Sequence, residues 1–174
     1  MSDLKKKMEE YNKTVHEIDE KIGQMALYIQ SEYNSFGMVD EFSALYQAFI
    51  NNRDNMSDEE HDNAIYNLLL DVPFLIRETR LDRERIKQLT GAVKLDRQRK
   101  FEEQFLQSKE KNKEGRTYDA NQKVQVETYV LEAYDQTYSK LTANLDFLEK
   151  AQSSLKHCMS KRLSDRKFNK LENG

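Results

Sequence analysis

The chain has 174 residues, with 28 Lys and Arg against 31 Asp and Glu, a formal charge of −3, and only 37% hydrophobic residues. Five glycines and one proline are too few for a β-sandwich or a loop-rich enzyme and point to long helices. The length fits one domain or two small ones, and no apolar run approaches the roughly 20 residues that cross a bilayer.

Leu4, Met8, Tyr11, Val15, Ile18, Ile22, Met25 and Ile29 recur at alternating spacings of four and three, the seam of a helix that pairs with another. Asn34, Ser35 and Gly37 interrupt it. A shorter amphipathic segment follows, with Val39, Phe42, Leu45, Tyr46, Phe49 and Ile50 on its apolar side, and then a polar turn from Asn51 to Met56. In Ser57-Asp58-Glu59-Glu60 the hydroxyl lies three residues before a carboxylate, so Ser57 caps a free N–H while Glu60 reaches back to Ser57. The helix opened there carries Ala64, Ile65, Leu68 and Leu69. It is expected to end or kink at Asp71-Val72-Pro73, because proline lacks the N–H and disfavours helical geometry in the residue before it.

From Phe74 to about Lys111 the only breaker is Gly91, and Ile86, Leu89 and Val93 mark the expected seam. Lys109 to Arg116 is a polar turn. Asp119 and Gln122 have the spacing of a second capping box, which predicts one helix from there to about Lys167. Its seam is the cleanest in the chain: Leu131, Tyr134, Tyr138, Leu141, Leu145, Leu148, Gln152, Leu155 and Met159. The expected fold is therefore all-α: a long antiparallel α-helical hairpin over residues 74–174, with arms of about 55 and 70 Å at 1.5 Å per residue, and an additional N-terminal helical region over residues 1–73. A bare hairpin leaves apolar residues uncovered, so either further copies of the chain make a homo-oligomer or the N-terminal helices close a monomeric bundle.

Catalytic chemistry finds no support, and the expectation is a protein that is not an enzyme. His16, His61 and His157 are scattered, and no phosphate-binding glycine loop, nucleophile elbow or paired-cysteine spacing occurs. Asp58 and His61 have the spacing of half a di-metal site, but no matching second pair accompanies them. Cys158 and His157 are helix neighbours and point in different directions. No metal and no cofactor is expected. The lone Cys158 and the charged start, Ser2 to Thr14, fit a reducing, cytoplasmic compartment.

The charge is segregated. Residues 1–73 hold 6 basic and 15 acidic side chains, and residues 74–174 hold 22 and 16, the asymmetry of a polyanion-facing region joined to something else. Arg80, Arg83, Lys87, Thr90, Lys94 and Arg97 follow one another at spacings of three and four, a cationic stripe beside the seam. Such a stripe matches a phosphate backbone loosely, as sequence-independent binding requires. A second cluster, Lys156, Lys161, Arg162, Arg166, Lys167 and Lys170, surrounds Phe168. Phe101, Phe105 and Phe168 offer faces on which unpaired bases stack, which favours single strands over duplex. Solvated helix faces and apolar packing are the plainer readings of the same residues.

The Arg77 to Lys100 stretch, Asn112 to Arg116 with Tyr118, the run Tyr134 to Leu148, Lys161-Arg162, Arg166-Lys167-Phe168 and the final Gly174 together resemble UvsY-type phage recombination mediator proteins. The resemblance covers about residues 80–174. It implies a homo-oligomeric, ring-like assembly of helical hairpins that binds single-stranded DNA, contacts the single-strand-binding protein and the recombinase, and promotes loading of the recombinase. Under it, the nucleic-acid-binding residues are Arg80, Arg83, Lys87, Lys94 and Arg97, with Lys161, Arg162, Arg166 and Lys167 near the end of the chain. The closing helix takes the oligomerising role through Leu131, Tyr134, Tyr138, Leu141, Leu145, Leu148 and Leu155. The location implied is the cytoplasm, of the host cell if the chain is phage-encoded. Glu102 to Glu110 depart from the aromatic-rich segment of the family, and residues 1–73 have no counterpart in it.

These readings lead to a single-stranded-DNA-binding accessory protein of recombination or replication. The rival is a coiled-coil adaptor, chaperone or assembly scaffold, whose ligand is another protein and whose charges keep its helices soluble and in register.

Overall fold

The computed structural model describes the backbone of residues 2–172 and the side chains of residues 5–166. Among the described residues there are five α-helices, one 3-10 turn and no strand, so the protein is all-α. Helix α1 spans Ser2–Ser31, α2 spans Asn34–Asn52, and the 3-10 turn Arg53–Asn55 leads into α3, Asp58–Gln107. Helices α4, Lys113–Lys123, and α5, Gln125–Glu172, complete the chain.

The capping box before α3 forms as its residue types dictate. The Ser57 N–H donates to Glu60 Oε2 at 2.8 Å and the Glu60 N–H donates to Ser57 Oγ at 3.3 Å, so two otherwise unpaired donors are satisfied reciprocally.

The helix end expected at Pro73 is absent. Helix α3 passes through it for 50 residues, because Val72, Leu75 and Ile76 around it are buried and each contributes about 1.5–3 kcal/mol. Pro73 itself is exposed, and packing outweighs a cost of about 3 kcal/mol. Helix α3 thus has 50 residues and α5 has 48.

The single helix expected from Asp119 is divided. Asn112 caps α4 by accepting from the Gly115 N–H at 2.6 Å. Asp119 lies inside α4 and accepts from Ser108 Oγ at 2.6 Å. The buried Val124, with φ −103° and ψ 18°, separates α4 from α5.

Residue contacts divide the chain into two compact units. The first contains residues 1–32 and 84–139, and the second residues 33–83 and 140–174. In the second unit, Val39, Phe42 and Phe49 of α2 pack with Ile65, Leu68, Val72, Leu75 and Ile76 of α3 and with Leu145, Leu148 and Leu155 of α5. Phe42, Tyr46 and Phe147 add edge-on and offset ring contacts. Arg80 meets Glu149 while Asp62 meets Arg162, so the α3 and α5 segments of this unit run in opposite directions. In the first unit, Ile22 and Ala26 of α1 are buried against Ala133 of α5, with Ile18, Met25, Ile29 and Tyr129 around them. Arg97 with Thr128 and Lys100 with Glu127 give α3 and α5 the same opposed sense there.

Candidate nucleic-acid interface

The inner line of α3 decides which of its cations are available. Thr79, Asp82, Ile86 and Thr90 are buried, followed by the half-buried Val93, Arg97 and Lys100. Leu89, expected in the seam, is exposed instead. Thr90, expected in the cationic stripe, is buried, and its hydroxyl donates to the Ile86 carbonyl at 2.8 Å. The cause is that polar residues occupy part of the inner line, so apolar spacing alone picks the adjacent register.

The stripe is consequently split. In the second unit, Arg80 is exposed and its Nη2 donates to Glu149 Oε1 at 2.6 Å; Arg83 is half-buried and engaged. In the first unit, Lys87 is exposed with Glu84 Oε2 at 3.9 Å. Lys94 is exposed. Arg97 turns inward and donates through Nε to Thr128 Oγ1 at 3.0 Å. Lys100, outside the predicted stripe, lies between Asp96 Oδ2 at 2.9 Å and Glu127 Oε1. Hydrogen bonds to Glu127 and then Asp96 hold its ammonium above the usual lysine value.

A groove runs along this part of the first unit. One concavity of about 610 Å³ is lined by Lys94, Arg97, Gln98, Phe101, Asn121 and Leu131. A second of about 460 Å³ is lined by Phe101, Glu102, Phe105, Leu106, Lys113 and Thr117. They share Phe101, whose ring lies 6.2 Å from that of Phe105 with the planes 18° apart. The first concavity is of the size that holds small-molecule ligands. It offers cations to an anion, side-chain amides to a base edge and an aromatic face for stacking. The lysine stripe and Phe101 are legible in the sequence. Asn121 and Lys113 are not, because the fold of α4 against α3 brings them in.

The cluster near the chain end is arranged differently from the free cationic patch expected. Lys161 is exposed. Arg162 donates to Asp58 Oδ1 at 2.8 Å and to Asp62 Oδ1 at 2.6 Å, and Arg166 donates to Asp62 Oδ2. Asp58 and Asp62, near the start of α3, thus neutralise two of the cations. The Asp58 hydrogen bond is the leading cause that raises the Arg162 guanidinium above its usual value. The side chains of Lys167 and Phe168, like that of Leu4, lie outside the described residues.

The residues expected to join subunits also part company. Leu131, Tyr134 and Tyr138 are half-buried in the first unit. Leu141, Leu145, Leu148 and Leu155 are no more than 3% exposed within one chain. Leu145, Leu148 and Leu155 pack within one chain in the core of the second unit.

Among the described residues no three His, Cys, Asp or Glu side chains gather to hold a metal ion, and no helix is long and apolar enough to cross a membrane. Compared with known protein families, curated proteins and solved structures, the chain matches none of them.

Proposed function

We propose that this protein binds single-stranded DNA without catalysing a reaction and serves as a recombination mediator, loading a recombinase onto the strand. The observation that carries the reading is the groove of the first unit, where Lys94 and Arg97, the Phe101 face, and the Gln98 and Asn121 amides line one concavity. Lysine and arginine hold phosphates through salt-sensitive contacts, and Phe101 stacks on any base, which gives affinity without sequence readout. The resemblance of residues 80–174 to UvsY-type mediators supports the same activity and supplies the partners, a recombinase and a single-strand-binding protein. In this reading α3 and α5 act as a hairpin, and copies of the chain assemble so that several grooves engage one strand, raising avidity.

A second reading, as a helical adaptor for another protein, is favoured by one feature. Tyr66, Leu70, Phe74 and Leu81 of α3 are each 47% exposed or more and lie at helical spacing, an apolar stripe suited to a partner helix.

Fluorescence anisotropy of the full chain with a labelled single-stranded oligonucleotide and the matching duplex, at low and physiological salt, separates the two. Single-strand preference, a negative salt slope and loss of affinity in Lys94→Ala with Phe101→Ala support the mediator. Equal, weak binding of both nucleic acids that the double variant leaves unchanged removes the groove from consideration and leaves the adaptor.

A further inference from the structure

Every described residue from Lys5 to Glu17 is exposed, although α1 is one continuous helix across that span. From Ile18 onward its apolar seam is covered, since Ile22 and Ala26 are buried against Ala133. Toward the N-terminus the same alternation of four and three continues through Val15, Tyr11 and Met8, which are 37%, 70% and 60% exposed. A helical arm of this length is marginal in water when nothing packs on it. A seam in unbroken register with a covered one is the pattern that a second helix completes.

The charges of the arm identify that helix. Lys5, Lys6 and Lys7 stand at one end, and Glu17, Asp19 and Glu20 at the other, about 19 Å away at 1.5 Å per residue. Lys13 lies 4.0 Å from Glu17, both well exposed, a contact weak enough to leave the acidic end available. We infer that two copies of the chain pair through this arm in antiparallel orientation, with Met8, Tyr11 and Val15 of each packed on the other around a two-fold axis near residue 12. A parallel pair would lay three lysines against three lysines and three carboxylates against three carboxylates. The antiparallel pair sets each cationic end on an anionic one, and its two halves are equivalent, as a closed dimer requires. This pairing is independent of the DNA-binding reading: a chain that bound no oligonucleotide would still dimerise.

The test is sedimentation of the full chain over a range of concentrations, beside the variant Tyr11→Glu with Val15→Glu. Both positions are exposed, so helix content and the unfolding midpoint serve as controls for the variant's fold. The expected result is a dimer that weakens as salt screens the end charges and is lost in the variant. A monomer at every concentration overturns the proposal, and so does self-association that the variant leaves intact, because copies would then meet elsewhere, as on the α3 stripe. Orientation is read from spin labels placed on cysteines substituted at residue 6 or residue 12 in a Cys158→Ala background. The antiparallel pair separates the labels at residue 6 by about 20 Å and brings those at residue 12 to about 10 Å. Equal separations at the two positions overturn the antiparallel arrangement.

Discussion

Arg162 donates through Nε to Asp62 Oδ1 at 2.6 Å, joining residues 100 positions apart in the chain. Its Nη2 reaches Asp58 Oδ1 at 2.8 Å, and Arg166 takes the other oxygen of Asp62. Burial pushes the Asp62 carboxyl up, but hydrogen bonds from the two guanidiniums outweigh burial and hold it below the usual carboxylate range. The capped, acidic start of α3 is thereby tied to the basic end of α5 inside the second unit.

Replacing both anions tests whether this cluster withholds cations from DNA. Asp58→Asn with Asp62→Asn leaves Arg162 and Arg166 without carboxylate partners, at a cost of about 1–2 kcal/mol for a partly buried network. If the freed guanidiniums reach phosphates, single-strand affinity rises and the salt slope steepens by up to about 1.4, two contacts at roughly 0.7 each. Anisotropy at several salt concentrations and urea denaturation read the two effects separately. Unchanged affinity with reduced stability assigns the cluster to holding the fold alone.

His61 gives the second unit a pH dependence of known sign. Its ring lies 5.2 Å from that of Phe49, edge to face, and burial, followed by the Arg162 charge, lowers its pKa below the usual histidine value. The unfolded chain therefore takes up the proton first, so His61 contributes its full stability above its ordinary pKa. That contribution is lost as pH falls through the lowered folded-state value. The urea midpoint is expected to drop between pH 7.5 and 5.5 in the native chain and to drop less in His61→Gln. The carboxylates whose pKa values the fold lowers, Glu60, Asp62, Asp96 and Glu127, act in a separate, more acidic window.

Some local features of this fold are legible in its residues, and the long-range ones are not. The capping box at Ser57 and Glu60 and the packed seam of α1 from Ile18 to Ile29 follow from spacing, because neighbours within a helix are set by its geometry. Pro73 misleads, since its local penalty is overridden by the burial of Val72, Leu75 and Ile76. The inner line of α3 is disguised by Thr79, Asp82 and Thr90, which are buried although polar. The stripe of cations is visible as a count of charges. Its division is invisible, because Glu149 on Arg80 and Thr128 on Arg97 come from distant parts of the chain. The groove is half legible for the same reason: Lys94 and Phe101 lie seven apart on one helix, whereas Asn121 reaches it through the placement of α4.

Gly91 offers a gain in stability. It lies within α3 of the first unit, is exposed, and a Cβ added there meets nothing within 4 Å. Gly91→Ala is expected to stabilise the chain by up to about 1 kcal/mol, through helix propensity and reduced freedom of the unfolded chain. Guanidinium denaturation checks it. A loss of stability instead would mean that this turn of α3 departs from regular helix in solution.

Leu148 distinguishes a core role for α5 from a subunit-joining one. It is fully buried and packs in the core of the second unit, so Leu148→Ala removes apolar contact and leaves a cavity at a cost of about 2–5 kcal/mol. If the leucine serves the chain's own core, the loss is the same at every protein concentration, and the variant sediments as the native chain does under conditions where both are folded. If the leucine joined subunits, mass action would make the loss depend on protein concentration, and the assembly would dissociate before the helices melt. Thermal denaturation of native and variant chains over a hundredfold range of concentration, with sedimentation below the transition, tells these apart, and the burial of Leu148 within one chain predicts the first outcome.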